Sequence, residues 1–205
     1  MSWYDVFSFT YDAQLEELYR PHRARAVTAL GLFEGAVGLD LACGTGQSFD
    51  ALREGVGAIG RVIGLDASSG MLRRARRRIA RAGWDNVRVV HARADEVSAE
   101  LLGAQDGLDF VLCCLGATAF PDWPRVFAQT FELLRPGGRY VVFDVHAKER
   151  LFQTRMVELL ARADLSRRAW EPLEASSADF EVEDLDGDPK TFGGTLFVAS
   201  GARSR

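Results

Sequence analysis

The sequence predicts an α/β fold: a mostly parallel sheet wound with helices on both faces and finished by an antiparallel hairpin. Three observations lead there. Short β-type apolar runs alternate with stretches of helical spacing, a Gly-rich turn joins the first run to the stretch after it, and two strand-like runs close the chain. Strands are expected at 37–41, 61–65, 87–91, 110–114 and 140–145, with helices at 47–54, 69–81 and 123–134. Gly83 stops the second of these helices, and Pro136-Gly137-Gly138 the third.

Two regions flank this alternation. Residues 1–35 open with Trp3, Tyr4, Phe7, Phe9 and Tyr11 and run into a helix over 12–30, which fits a lid over a pocket. A packed flanking helix with its aromatics in the core fits as well. Beyond 147 a helix is expected to 163, then strands at 180–185 and 195–200, with Asp186-Gly187-Asp188-Pro189 and Gly193-Gly194 turning the chain between them. The acidic stretch 171–188 reads as a solvated surface.

With 205 residues, 47% of them hydrophobic, the chain can fill one core, and no linker or repeat divides it, so a single domain over 1–205 is expected. Twenty-five basic against 29 acidic residues leave a formal charge of -4, which speaks against nucleic acid as a partner. The longest nearly apolar stretch, 110–120, falls short of the roughly 18 residues a span requires, so no stable membrane insertion is expected. The start Met-Ser-Trp-Tyr-Asp carries no basic leader, and a cytoplasmic location is the expectation. Three cysteines without ligand spacing fit reduced thiols rather than a disulfide framework or a metal site.

The most informative segment is the apolar strand Val37-Gly38-Leu39-Asp40-Leu41, running into Ala42-Cys43-Gly44-Thr45-Gly46 ahead of a helix. Such a turn lets backbone N–H groups approach a ligand closely. A dinucleotide fingerprint needs a third glycine where Phe49 stands, and Asp40 would oppose a pyrophosphate at short range. A Walker loop fails because no Gly-Lys-Ser/Thr follows. The acid instead favours a ligand with an ammonium group and a neutral or cationic centre, and S-adenosylmethionine, with its α-ammonium and sulfonium, is such a ligand.

Further runs stand in register with this loop: Val62-Ile63-Gly64-Leu65-Asp66-Ala67-Ser68-Ser69-Gly70-Met71-Leu72, then Val89-Val90-His91-Ala92-Arg93-Ala94-Asp95, Leu108-Asp109-Phe110-Val111-Leu112-Cys113-Cys114-Leu115, and Leu133-Leu134-Arg135-Pro136-Gly137-Gly138-Arg139-Tyr140. Together, over about 11–200, they resemble class I S-adenosylmethionine-dependent methyltransferases of the ubiquinone/menaquinone-type small-molecule branch, with Ala42 replacing the first glycine of the loop pattern. The resemblance implies a three-layer α-β-α Rossmann-like sandwich with a seven-stranded sheet. It divides the chain into an N-terminal helical lid at 1–35, a cofactor-binding core at 36–146, and a helix with the C-terminal strands at 147–205.

It also implies roles. Asp40, Ala42, Gly44 and Gly46 would surround the cofactor's amino-acid end, with Cys113 and its neighbour Cys114 at the end of the fourth strand and Tyr11 from the N-terminal segment. Asp66 would accept from both ribose hydroxyls. Ala67 and Met71 would pack on adenine, although plain core packing also accounts for Met71. Asp95, next to Ala94, would accept from the adenine amino group. The cofactor implied is S-adenosyl-L-methionine, leaving as S-adenosyl-L-homocysteine, without a metal. The partner is a small-molecule substrate, whose accepting O, N or C atom stays open, and the chain is expected to be a monomer or homodimer. An N-methyltransferase acting on a phospholipid headgroup or other amine is the alternative within the class, and a non-catalytic S-adenosylmethionine-binding module the alternative outside it.

Methyl transfer from a sulfonium needs no acid for its leaving group. If the acceptor is a hydroxyl, His146, just past Asp144-Val145, is the candidate general base and the one assigned a catalytic role, with a structural histidine as the plain alternative. The run Arg73-Arg74-Ala75-Arg76-Arg77-Arg78-Ile79-Ala80-Arg81 places arginine on the outer face of its helix, either solvated or touching an anionic surface or RNA.

Overall fold

The computed structural model describes residues 11–149 and 152–204, with side chains from Glu17 onward. In chain order these form α1 (Tyr11–Ala29), β1 (Val37–Leu41), α2 (Phe49–Val56), β2 (Arg61–Asp66), α3 (Ser69–Ala82), β3 (Val87–His91), a 3-10 turn (Ala94–Glu96), β4 (Leu108–Cys114), α4 (Trp123–Glu132), β5 (Leu134–His146), α5 (Phe152–Ala161), α6 (Glu171–Ser176), β6 (Glu181–Asp184), α7 (Pro189–Phe192) and β7 (Thr195–Ala202). The strands make one sheet of order β3-β2-β1-β4-β5-β7-β6. Strands β1 to β5 pair in parallel, and β7 runs antiparallel to both β5 and β6. The expected seven-stranded sandwich and its C-terminal hairpin are therefore found.

The central strands are apolar on both sides because helices cover both faces. Tyr19, Phe49, Leu52, Leu72, Phe110 and Phe143 fill one layer beneath α1, α2 and α3. Leu39, Ile63, Trp123, Phe127, Tyr140 and Phe197 fill the other. The helix ends carry their own signals: the Ser68 hydroxyl accepts from the Met71 N–H at 3.3 Å to start α3, and Gly83 at φ 69° ends it.

Strand β5 departs from the expectation. Helix α4 stops at Glu132, and Pro136-Gly137-Gly138 lies inside β5 as a bulge, since Leu108 pairs with Leu134 but Phe110 pairs with Arg139. Gly138 is required there, because a Cβ would stand 2.9 Å from the carbonyl oxygens of both Arg135 and Leu108. The tail also differs: the single helix expected over 147–163 is the shorter α5, while α6 and α7 are extra turns, each opened by a proline in its first turn.

Helix α1 is a packed element where its side chains are described. Tyr19 is 8% exposed and sets its ring 6.1 Å from Phe143 and 5.3 Å from Phe192. Trp3, Tyr4, Phe7 and Phe9 of the expected lid, and the side chain of Tyr11, lie outside the described residues.

Candidate functional site

The chain order of the strands reverses between β1 and β4, so the connections leaving their C-terminal ends diverge and open a crevice there. Both strand ends are strained. Ala42 after β1 and Leu115 after β4 hold φ of 57° and 56°, a left-handed region costing a non-glycine residue about 1 to 2 kcal/mol. Both line one cavity of about 160 Å³, together with Tyr19, Arg23, Asp40, Gly44, Met71 and Cys114. Two of the three non-glycine residues with positive φ among the described residues thus border one cavity, which singles it out as a candidate site.

The turn between Ala42 and α2 is held from β2. The Gly44 N–H donates to one Asp66 carboxylate oxygen at 2.9 Å, and the Ser68 N–H donates to the other at 2.8 Å. Asp66 thus ties the loop to the start of α3, while burial, opposed by these bonds, raises its pKa. Gly44 and Gly46 both have positive φ, and a Cβ on Gly46 would meet the Phe49 ring at 2.5 Å. The loop therefore stays narrow, with its backbone free to meet a ligand.

Asp40 is the chemical centre. It is 1% exposed, and its Oδ2 has no hydrogen-bond partner among the described residues. Burial pushes its pKa up to about 7, against the lowering effect of Arg23 and with a further raising effect from Asp66. A buried acceptor left unpaired is costly, and an ammonium group placed in the cavity would satisfy it. Arg23, 9% exposed on α1, lines the same cavity and supplies the complementary charge for a carboxylate. Acid and guanidinium together fit the zwitterionic amino-acid end of S-adenosylmethionine. Burial drives the Cys43 thiol well up and that of Cys114 to about 12, so neither is a thiolate near neutral pH.

Of the residues expected from the sequence, Asp40, Ala42, Gly44 and Met71 line this cavity together. Gly46 turns the loop behind them. Asp66 buttresses it, and the exposed Ala67 follows, its carbonyl 3.0 Å from His91 Nε2. Ala94 is buried in the 3-10 turn. Asp95 is held by the Arg93 guanidinium at 2.9 and 3.0 Å, which keeps its pKa below the usual carboxylate value. Cys113 packs with Leu39 and Leu41 on the opposite face of the sheet, and strand alternation brings Cys114 to the cavity instead.

His146 is also on that opposite face. It packs edge-on against Trp170 at 5.0 Å and lines a second cavity of about 280 Å³ with Thr154, Pro189, Gly193 and Thr195. The alternation that turns Phe143 and Val145 toward α1 turns Asp144 and His146 away. The structure thus separates His146 from the Asp40 cavity.

Fold and crevice define a doubly wound α/β domain with a cavity at the ends of β1 and β4. A family model described as a methyltransferase domain matches residues 39–138. The demethylmenaquinone methyltransferase of Bacillus velezensis is 30% identical over 131 residues, covering 64% of this chain and 54% of that protein. The chain spans about half the length of the curated relatives it matches. Among solved structures, geranyl diphosphate C-methyltransferase from Streptomyces coelicolor A3(2), in complex with Mg2+, geranyl-S-thiolodiphosphate and S-adenosyl-L-homocysteine, gives a TM-score of 0.75 at 15% identity, over 91% of this chain and 77% of that one. Phosphoethanolamine N-methyltransferase 2 of Haemonchus contortus, in complex with phosphomonomethylethanolamine and S-adenosylhomocysteine, gives 0.78 at 13% identity, over 99% and 59%. These two share the fold. Residues 39–138 thus resemble a methyltransferase domain on a class I-type fold, and the curated relatives of this stretch are demethylmenaquinone methyltransferases.

Proposed function

We propose that this chain transfers a methyl group from S-adenosylmethionine to a small-molecule acceptor. The observation that carries the reading is the unpartnered, buried Oδ2 of Asp40 at a cavity that also holds Arg23 and two strained strand ends. Bound there, S-adenosylmethionine supplies an electrophilic methyl on a positively charged sulfur, whose departure needs no proton.

The residues of the chain then have three tasks. Asp40 takes the ammonium and Arg23 the carboxylate, which fixes the amino-acid end at the β1 terminus. Asp66, already holding the loop through Gly44, keeps lone pairs for the ribose hydroxyls. Tyr19, Cys114 and Leu115 form a largely apolar wall that excludes water.

Among the described residues, cavity groups able to take a proton from a neutral hydroxyl are scarce. Both thiols are raised, and Asp40 is committed to the ligand. The site therefore favours an acceptor that brings an available electron pair, such as an electron-rich ring carbon or a neutral amine, over an unactivated alcohol. The relatives named for demethylmenaquinone make a quinol-type ring the first acceptor to test. A cytoplasmic place of action accords with three free cysteines.

The test has two parts. Calorimetry with S-adenosylhomocysteine should show one saturable site that is lost in Asp40→Ala. Incubation with methyl-labelled S-adenosylmethionine and a demethylmenaquinol analogue, kept reduced by dithionite, should give the labelled ring-methylated quinol. Binding without transfer to any acceptor in a panel of quinols, amines and phenols would leave a cofactor-binding module. Absence of binding would remove the reading altogether.

A further inference from the structure

The crevice has two walls, the loops after β1 and β4, and both are held in the same way. An acid at the end of the neighbouring strand reaches sideways to the loop. On the β1 side it is Asp66 of β2, which accepts from the Gly44 N–H at 2.9 Å. On the β4 side it is Asp144 of β5, which accepts from the Thr118 N–H at 3.1 Å and from the Thr118 hydroxyl at 2.8 Å. Asp144 and Thr118 are both buried, and neither lines the Asp40 cavity. Burying an acid is a costly way to stabilise a fold. Its use here is geometric, because a carboxylate offers acceptors on two oxygens at a fixed angle. Thr118 takes one with its N–H and the other with its hydroxyl.

The rest of the β4 wall is pinned through other atoms. The Leu115 N–H donates to the Phe143 carbonyl at 2.7 Å, and the Asp164 N–H to the Thr118 carbonyl at 2.9 Å. The Arg167 guanidinium donates to the Ala117 and Phe120 carbonyls at 2.9 and 2.5 Å. Among the described residues only Asp144 accepts from Thr118. The two walls also touch each other, since a Cβ on Gly116 would stand 2.9 Å from the Ala42 Cβ. A shift of the β4 wall is therefore passed to the loop that carries Gly44. Leu115, at φ 56°, keeps that conformation only because its surroundings over-determine it.

We propose that Asp144 is a positioning residue for the cofactor site: through Thr118 it holds Leu115 and Gly116 in the arrangement that closes the β4 wall against Ala42. This rests on the methyltransferase reading of the cavity. With the hold at Thr118 released, Leu115 relaxes and the closed wall becomes one arrangement among several. Apparent affinity for the cofactor then falls by the fraction of molecules that keep it.

The test measures S-adenosylhomocysteine affinity by calorimetry and melting temperature side by side on the full chain. Thr118→Val removes the hydroxyl while nearly keeping the shape, and Asp144→Asn sets an amide N–H against the Thr118 donors. Each should weaken binding about tenfold, as expected when a tenth of the molecules hold the wall closed. Thr118→Ser, which keeps the hydroxyl, should bind as the wild type does. The double variant Asp144→Asn/Thr118→Val should bind no more weakly than the weaker single variant, because both remove the same contact. Thr130→Val is the control for stability alone: it deletes a buried hydroxyl that meets the Tyr140 hydroxyl at 2.9 Å in the layer opposite the cavity. It should lower the melting temperature and leave the affinity unchanged.

Variants Thr118→Val and Asp144→Asn that melt lower but bind as the wild type does would overturn the proposal. So would a matching loss of affinity in Thr130→Val, or binding in Thr118→Ser as weak as in Thr118→Val. Should Asp144→Asn not fold, the two Thr118 variants decide the matter by themselves. A wild type that does not bind S-adenosylhomocysteine fails at the cofactor reading, and the positioning role falls with it, whereas equal binding in wild type and variants removes the positioning role alone.

Discussion

Asp40 stores a conflict that the ligand resolves. Its carboxyl is buried and its pKa raised to about 7, so near neutrality much of the unliganded protein holds it protonated. An ammonium beside it favours the ionised form. Binding should therefore release a proton and strengthen as pH rises toward and through 7. Calorimetry of S-adenosylhomocysteine in buffers of different ionisation enthalpy would count that proton. Asp66 has a different standing, since both of its oxygens are already bonded to backbone N–H groups. Asp66→Ala is expected to weaken S-adenosylhomocysteine binding by about 2 to 3 kcal/mol, through the lost ribose acceptor and the released Gly44. An unchanged affinity would mean that the ribose does not sit at the β2 terminus. These acids were legible in the sequence because each ends an apolar strand, whereas Arg23 was not. It sits among Arg20 and Arg25 in one helix, and nothing local tells which of the three turns inward. The other two are exposed, and Arg25 pairs with Glu183 at 2.6 Å.

At the scale of elements, the strands of the cofactor half stood where apolar runs placed them, because burial on both faces leaves little freedom of register. The misreadings fall where one local signal serves two outcomes. Leu133-Leu134 continues the helical spacing of α4, yet the Leu108 N–H donates to the Leu133 carbonyl at 2.8 Å, and sheet pairing takes the segment over. Proline and glycine then mark a bulge instead of a helix stop. The tail turns α6 and α7 were hidden because helices of six and four residues carry too few positions to show a period. For α1 the aromatic content suggested either a lid or a core helix, and at Tyr19 the structure shows a core contact bordering the cavity. Tyr19→Ala should consequently cost about 3 kcal/mol of stability and also weaken S-adenosylhomocysteine binding. Denaturant melts and calorimetry of this variant would check both losses. Unchanged stability would show that the Tyr19 contacts with Phe143 and Phe192 do not hold α1 to the core.

Among the described residues three acids, the buried Asp40 and Asp144 and the half-buried Asp66, have pKa values raised mainly by burial. Asp144 stays raised even though Thr118 and the Val145 N–H donate to it. In the unfolded chain such groups titrate near 4. Between about pH 4 and pH 7 the folded protein thus holds more protons than the unfolded one, and its stability falls as pH rises through that window. Asp95, a third exposed and lowered by Arg93, acts in the opposite sense below about pH 4 but contributes little because solvent screens it. Unliganded protein should therefore melt at its highest temperature on the acid side of neutrality and lose stability toward pH 8. Asp40→Asn, which removes the buried ionisation, should flatten this decline and raise stability at pH 8 by about 1 to 2 kcal/mol, while abolishing cofactor binding. Saturating S-adenosylhomocysteine should flatten the decline in the wild type as well, since the ligand's ammonium compensates the same charge. Calorimetric melts across pH, with and without ligand, decide the matter. A melting temperature that climbs steadily toward pH 8 in the unliganded protein, or a slope unchanged by Asp40→Asn, would show that Asp40 is ionised at little cost and that the cavity is not strained toward a cationic ligand.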